Sequence, residues 1–248
     1  MGTRGYFDGS GLSAPTRIEV LCCLCGSDTF WFEFNRRWEH ALQELGMPVW
    51  HTTDVLRKRP GAMPGAVPAQ LLNVIGTIAG AECHICSIAV DKEAHAALRR
   101  TYPTVPQMED LCVGFCFRKL GIAKSDVGQT ACLHLFFDRG EPFLHYLNAP
   151  WQRERRRARR HGGWPAQVGD ILPAAAQDHP GLQAADLIAW GVRMHHESRQ
   201  QDPRASRIIM MTLLTGKHYH GFLDEEALER FYVRKEHLTF ALRYDMTR

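Results

Sequence analysis

Apolar and polar positions recur along the chain with two periods, near two and near 3.6 residues, and so predict strands interleaved with helices. Tyr6 and Phe7 favour pleated backbone, so residues 4–8 are predicted as a first strand. Gly9 and Gly11 admit positive φ and are expected to stop it, leaving Asp8 at its carboxyl end. Residues 17–25 begin with alternation and finish as a continuous apolar run, the pattern of a central strand antiparallel to the first. Ser27 and its neighbours supply a helix cap. Trp31, Phe34, Trp38, Leu42 and Leu45 then form one stripe, predicting a helix over 31–45 that Gly46 closes.

A short strand at 48–51 and a loop at 57–68 follow, the loop rich in Pro, Gly and basic residues. Further helices are predicted over 69–79, partly over 91–100, and over 108–120, where Met108, Leu111, Cys112 and Phe115 share the inward face. Strands are predicted at 84–90, 131–138 and 171–175. The second of these ends Phe136-Phe137-Asp138-Arg139-Gly140, a near echo of the first strand. Helices at 182–197, 208–214 and 225–232 complete the chain.

The 248 residues are 45% hydrophobic and 23% charged, an ordinary globular composition. No linker-like tract divides them, so one α/β domain over 1–197 with a helical extension over 198–248 is expected. The net charge of +3 says little about partners. Cys22, Cys23, Cys25, Cys112 and Cys116 read as small core residues. Cys83 and Cys86 have the spacing of a metal or redox pair but lack a second such pair, which favours a core role. No run approaches the roughly 18 apolar residues of a membrane span. No secretory pattern precedes the first strand, so a cytoplasmic protein is expected.

Asp186 stands in the apolar helix Leu182-Gln183-Ala184-Ala185-Asp186-Leu187-Ile188-Ala189. A carboxylate there is costly unless paired or bound to metal. Alanines on either side let such a helix lie close to a sheet and bring Asp186 to the strand ends. Asp8, Asp138 and Asp186 would then converge. Clustered carboxylates repel one another without a cation, and Mg²⁺ is held by a few carboxylates plus a substrate phosphate. Each residue also has a plain structural reading: Asp8 and Asp138 as turn formers, Asp54 as a cap. His51 and His179 lie beside these motifs, where a phosphate contact or an ordinary packing role would both fit. Arg153, Arg155, Arg156, Arg157, Arg159 and Arg160 repel one another between Trp151 and Trp164, and a nucleic-acid backbone would relieve them. Either tryptophan offers a face on which a base can stack.

Tyr6-Phe7-Asp8-Gly9-Ser10-Gly11 resembles the YxDESG opening of the domain-of-unknown-function 3800 family. Gly181-Leu182-Gln183-Ala184-Ala185-Asp186-Leu187 resembles its closing helix. The segments His51-Thr52-Thr53-Asp54 and Phe136-Phe137-Asp138-Arg139-Gly140 fit between them, so the resemblance spans residues 4–197. It implies a ribonuclease H-like α/β fold, a mixed five-stranded sheet flanked by helices. It also implies a nuclease dependent on Mg²⁺ or Mn²⁺, acting on RNA or DNA. Asp8, Asp138 and Asp186 would be its catalytic metal ligands, with Asp54 a fourth, and the arginines would hold the strand. The family's Glu after the first Asp is Gly9 here, which puts full metal binding in question; Glu141 is placed to compensate. Two other functions suit the same residues: a non-catalytic nucleic-acid-binding or assembly subunit, and a metal-dependent hydrolase of nucleotides or other small phosphorylated substrates. A protein or guide-nucleic-acid partner is compatible with all three.

Overall fold

The computed structural model describes residues 2–11, 15–56, 67–78, 83–127, 133–140, 143–146, 152, 156, 168–198, 202–213 and 218–234. Among these residues six strands form one mixed sheet in the order β5-β4-β1-β2-β3-β6. They are β1 (Thr3–Ser10), β2 (Ile18–Ser27), β3 (Cys83–Asp91), β4 (Leu133–Asp138), β5 (Val168–Ala174) and β6 (His218–Leu223). β1, β2 and β3 are antiparallel in sequence, β4 and β5 run parallel to β1, and β6 runs parallel to β3. The first five strands make the expected mixed sheet, and β6 adds a sixth. The segment after residue 197 therefore contributes a strand as well as helices.

β2 and β3 are buried along their whole length, as their near-continuous apolar runs require. Alternate residues of the sheet feed two cores. Tyr6, Cys22, Leu24, Ile85 and Ala89 belong to one, covered by α1 (Asp28–Glu44), α3 (Ala69–Ile78), α7 (Pro180–Glu197) and α8 (Pro203–Leu213). Phe7, Cys23, Cys86, Ile88 and Phe137 belong to the other, covered by α5 (Met108–Val127), α6 (Phe143–Tyr146) and α9 (Glu225–Tyr232), with α4 (Lys92–Thr101) at its margin. The aromatic stripe of α1 is buried as its spacing predicts, and Ser27 Oγ caps it by accepting from Phe30 N at 3.1 Å. Gly46 has φ +65°, which suits its place just beyond that helix.

Two local expectations change, and the core role expected of Cys83 and Cys86 is seen. β1 does not stop at Gly9, because pairing with β2 continues as far as Ser10 and Val20. Only Gly11 has positive φ there, at 100°. Pairing with β4, however, ends at Phe7 and Phe137, so Asp8 lies at the lip on that side alone. Residues 48–51 form no strand, since the Trp50 amide is turned to a side chain, Gln183 Oε1, at 2.9 Å. Cys83 and Cys86 lie in different cores, on opposite faces of β3, so they cannot ligate one ion together. Seven cysteines among the described residues are buried.

α7 lies directly on β1. A Cβ at Gly181 would sit 2.4 Å from the Tyr6 ring, itself fully buried between Trp31 and Phe136. About three turns further on, Arg193 Nε donates to Ser10 Oγ at 2.9 Å. The helix thus tracks the strand from Tyr6 to Ser10. Gly181→Ala is expected to destabilise the protein by about 1–3 kcal/mol, because the ring beneath has no room to retreat. Urea denaturation checks this; a stability equal to wild type would refute the close seating.

Candidate functional site

Asp8 and Asp138 follow Phe7 and Phe137, which are register partners in parallel strands. Stacking confirms the register: Phe7 lies on Phe137 at 4.3 Å and Tyr6 on Phe136 at 5.0 Å, on opposite faces. Side chains two apart on a strand share a face, so Asp8 and Asp138 share that of Tyr6 and Phe136, beneath α7. Cys22, the partner of Asp8 on β2, belongs to the same core. Its thiol pKa is pushed up by burial and further by the Asp8 charge. Both aspartates are half-buried. Asp8 Oδ1 accepts from Gly9 N at 2.8 Å. Asp138 accepts from Gly140 N at 3.1 Å and from Ala176 N at 3.2 Å, which ties β4 to the turn after β5.

Asp186 is only 8% exposed. Its Oδ2 accepts from Thr52 N at 2.8 Å, at the start of α2 (Thr52–Leu56). Burial raises its pKa most. Hydrogen bonds from Thr52 and the nearby His51 oppose the rise, while the Asp138 charge adds to it. Asp138 and Asp186 therefore sense each other, and a cation between them would reverse the penalty. Ala184, Ala185 and Ala189 are fully buried and let the helix come this close.

The sequence reading assigned no role to Gln183, although it stands in the closing motif. Its Oε1 accepts from Trp38 Nε1 at 3.0 Å and from Trp50 N at 2.9 Å, and its Nε2 donates to Ala176 O at 2.9 Å. Trp50 Nε1 donates to Thr52 Oγ1 at 2.8 Å, so the network runs on to the residue that holds Asp186. Losing Gln183 would leave two buried N–H groups unpaired, at about 1–3 kcal/mol each. The signal was present in the Gln of the motif and in Trp50, two residues before Thr52.

Asp54 is placed differently. It pairs with His51 at 2.9 Å, with side chains 78% and 55% exposed, on the solvent side of α2. His179 precedes α7 and lies against Tyr6 and Phe136, ring centroids 5.8 and 5.2 Å away. Burial lowers its pKa. Arg156 is exposed. Arg153, Arg155, Arg157, Arg159, Arg160, Trp151, Trp164 and Glu141 lie outside the described residues.

Oxygen donors of this kind suit a hard divalent cation. Among the described residues, however, no three His, Cys, Asp or Glu side chains are grouped closely enough to hold a metal ion. Each aspartate is instead engaged by backbone amides. The structure brings Asp8, Asp138 and Asp186 to one face and one end of the sheet, without closing them on a single point. Among the described residues no helix is long and apolar enough to cross a membrane.

No protein-family model matches the chain, and no curated protein matches it in sequence. Among solved structures it is similar to a crystal structure of a mutant of Bst-RNase HIII, with a TM-score of 0.46 and 13% identity. The match covers 87% of this chain and 65% of that one, just under two thirds of its length.

Asp186→Asn keeps an acceptor for Thr52 and removes the buried charge. In chelator at pH 7 the variant is expected to be at least as stable as wild type. Because the folded-state pKa is raised, wild type binds the extra proton more readily when folded and gains stability as pH falls through that pKa. The variant lacks this gain, so its advantage should shrink towards pH 4. Urea midpoints for both proteins between pH 4 and 8 measure the difference.

Proposed function

We propose that the chain is a divalent-metal-dependent nuclease hydrolysing phosphodiester bonds of RNA or DNA, with Mg²⁺ or Mn²⁺ held by Asp8, Asp138 and Asp186. The observation that supports it most is the placement of two aspartates at adjacent positions of parallel strands, beneath a third on a buried helix. When bound, such an ion polarises a phosphoryl oxygen and lowers the pKa of water. The chain's own part is positioning. Asp138 is oriented by Gly140 and Ala176 amides, and Asp186 by Thr52, so their free lone pairs face a limited set of directions. Asp8 supplies a half-buried carboxylate at the point where β4 pairing ends. His51 and Asp54 pair at the exposed start of α2, where His51 would meet a phosphate and Asp54 would orient the imidazole. The arginine run would add charge attraction for the substrate.

A second reading also has support. Asp186 already has a structural duty towards Thr52, and no three-donor group is formed among the described residues. Together with Gly9 in place of the family's Glu, this suits a nucleic-acid-binding or assembly subunit that retains the fold without the chemistry.

Cleavage of labelled single- and double-stranded RNA and DNA in Mn²⁺, Mg²⁺ or EDTA separates the two readings. The nuclease reading expects metal-dependent cleavage, reduced about 10²–10³-fold by Asp138→Asn or Asp8→Asn with circular dichroism unchanged. Salt-sensitive binding without cleavage of any substrate would favour the binding subunit.

A further inference from the structure

Among the described residues β6 is the outer strand on the β3 side of the sheet. His218 and His220 share the face of Phe222, which packs into the α7 core. Ser87 of β3 stands opposite His220. Its Oγ lies 2.8 Å from His218 Nε2 and 2.9 Å from His220 Nδ1. The other nitrogen of that ring, His220 Nε2, lies 2.9 Å from His196 Nε2 on α7. One unbroken chain, His218–Ser87–His220–His196, thus joins β6, β3 and α7.

The His196 and His220 rings have centroids 5.1 Å apart and planes inclined by 17°. Their nitrogens therefore meet head to head, the geometry of an N–H···N bond. A cation bound by two imidazoles at right angles would bring the rings closer together, and no third donor group completes a metal site among the described residues. The three bonds need one consistent direction, either from His196 to His218 or the reverse. Each ring is then neutral, with one proton. His218 Nδ1 is buried with no partner among the described residues, so the direction that leaves a lone pair there, with His218 Nε2 donating, costs less.

Burial holds all three rings neutral: His218 is lowered to about 4, His196 to about 3, and His220 well below the usual value. His195, on the same helix and itself lowered by burial, pushes His196 and His220 further down. The charged groups of the surrounding elements are engaged elsewhere. Arg193 pairs with Glu197 on α7, Arg204 with Asp202 at α8, and Arg17 with Asp91 at the end of β3. His84 and Tyr219 lie on the opposite face, ring against ring. None of these contributes to holding a proton on the three rings.

We propose that the His218–Ser87–His220–His196 chain is an acid-released clasp that fastens edge strand β6 to the body of the protein at neutral pH. A histidine freed from the clasp has a pKa of about 6.5. Each folded value lies below that, so the docked strand binds fewer protons than the released one. The stabilisation is fully present above about pH 6.5 and is lost as pH falls from there towards 4. From pH 7.5 to 5.5 the opening equilibrium of β6 rises about tenfold for each histidine, about 10³-fold for three. An edge strand, paired on one side only, opens before the central strands.

The test is hydrogen–deuterium exchange of β6 amides against those of β2, corrected for intrinsic exchange, at pH 7.5, 6.5 and 5.5. The expected result is a rise of about 10³-fold in β6 opening while β2 changes far less. Ser87→Ala breaks the chain without removing a titrating group, so it should loosen β6 at pH 7.5 and leave a steep pH response. The double variant His196→Leu, His220→Leu should flatten the response to about tenfold. Should that variant not fold, imidazole titration of the wild type by NMR decides instead, with these rings expected to stay neutral to below pH 5. Protection of β6 that tracks β2 at every pH, or titration of these rings near 6.5 in the folded protein, would overturn the proposal.

Discussion

The close seating of α7 on β1 is the constraint on which the rest depends. It needs a glycine over the Tyr6 ring and alanines along the inner face. It also needs a polar side chain, Gln183, that satisfies the buried groups the approach would otherwise strand. Given that seating, a carboxylate one turn beyond Gln183 falls above the ends of β1 and β4. Without it, Asp186 would be an uncompensated charge in an apolar helix, a placement that proteins avoid.

Asp186 serves two purposes in this arrangement. Through Thr52 it anchors the start of α2, and through its position it adds a third carboxylate to the pair on the strands. The first duty holds it in place. The second makes its charge expensive, since both burial and Asp138 disfavour ionisation. A divalent cation would lower that cost, which links metal binding to the stability of the helix–sheet contact.

Much of this was legible in the chain itself. Asp8 and Asp138 each follow paired aromatics, and that repetition marked both as carboxylates at strand ends; the parallel pairing of the two strands is seen only in the structure. Asp186 was conspicuous because its neighbours are all apolar. The aromatic stripe of α1 was readable from spacing alone. What the sequence hid lies in contacts between distant residues. Trp50 and Gln183 are 133 positions apart, and their bond turns an expected strand into an irregular link. β1 runs past Gly9 because β2 holds it there as far as Ser10. β6 combines His218, His220 and Gly221, residues that look polar or permissive until Ser87 and His196 are seen to receive them.

The central claim is that Asp8, Asp138 and Asp186 form one cation site. An anomalous-difference map from crystals soaked in Mn²⁺ tests it most directly. The account predicts a peak bounded by all three carboxylates, with Asp8 turned towards Asp138. A map without density there, or with manganese bound elsewhere on the surface, would contradict it and leave Asp186 as a structural anchor for α2.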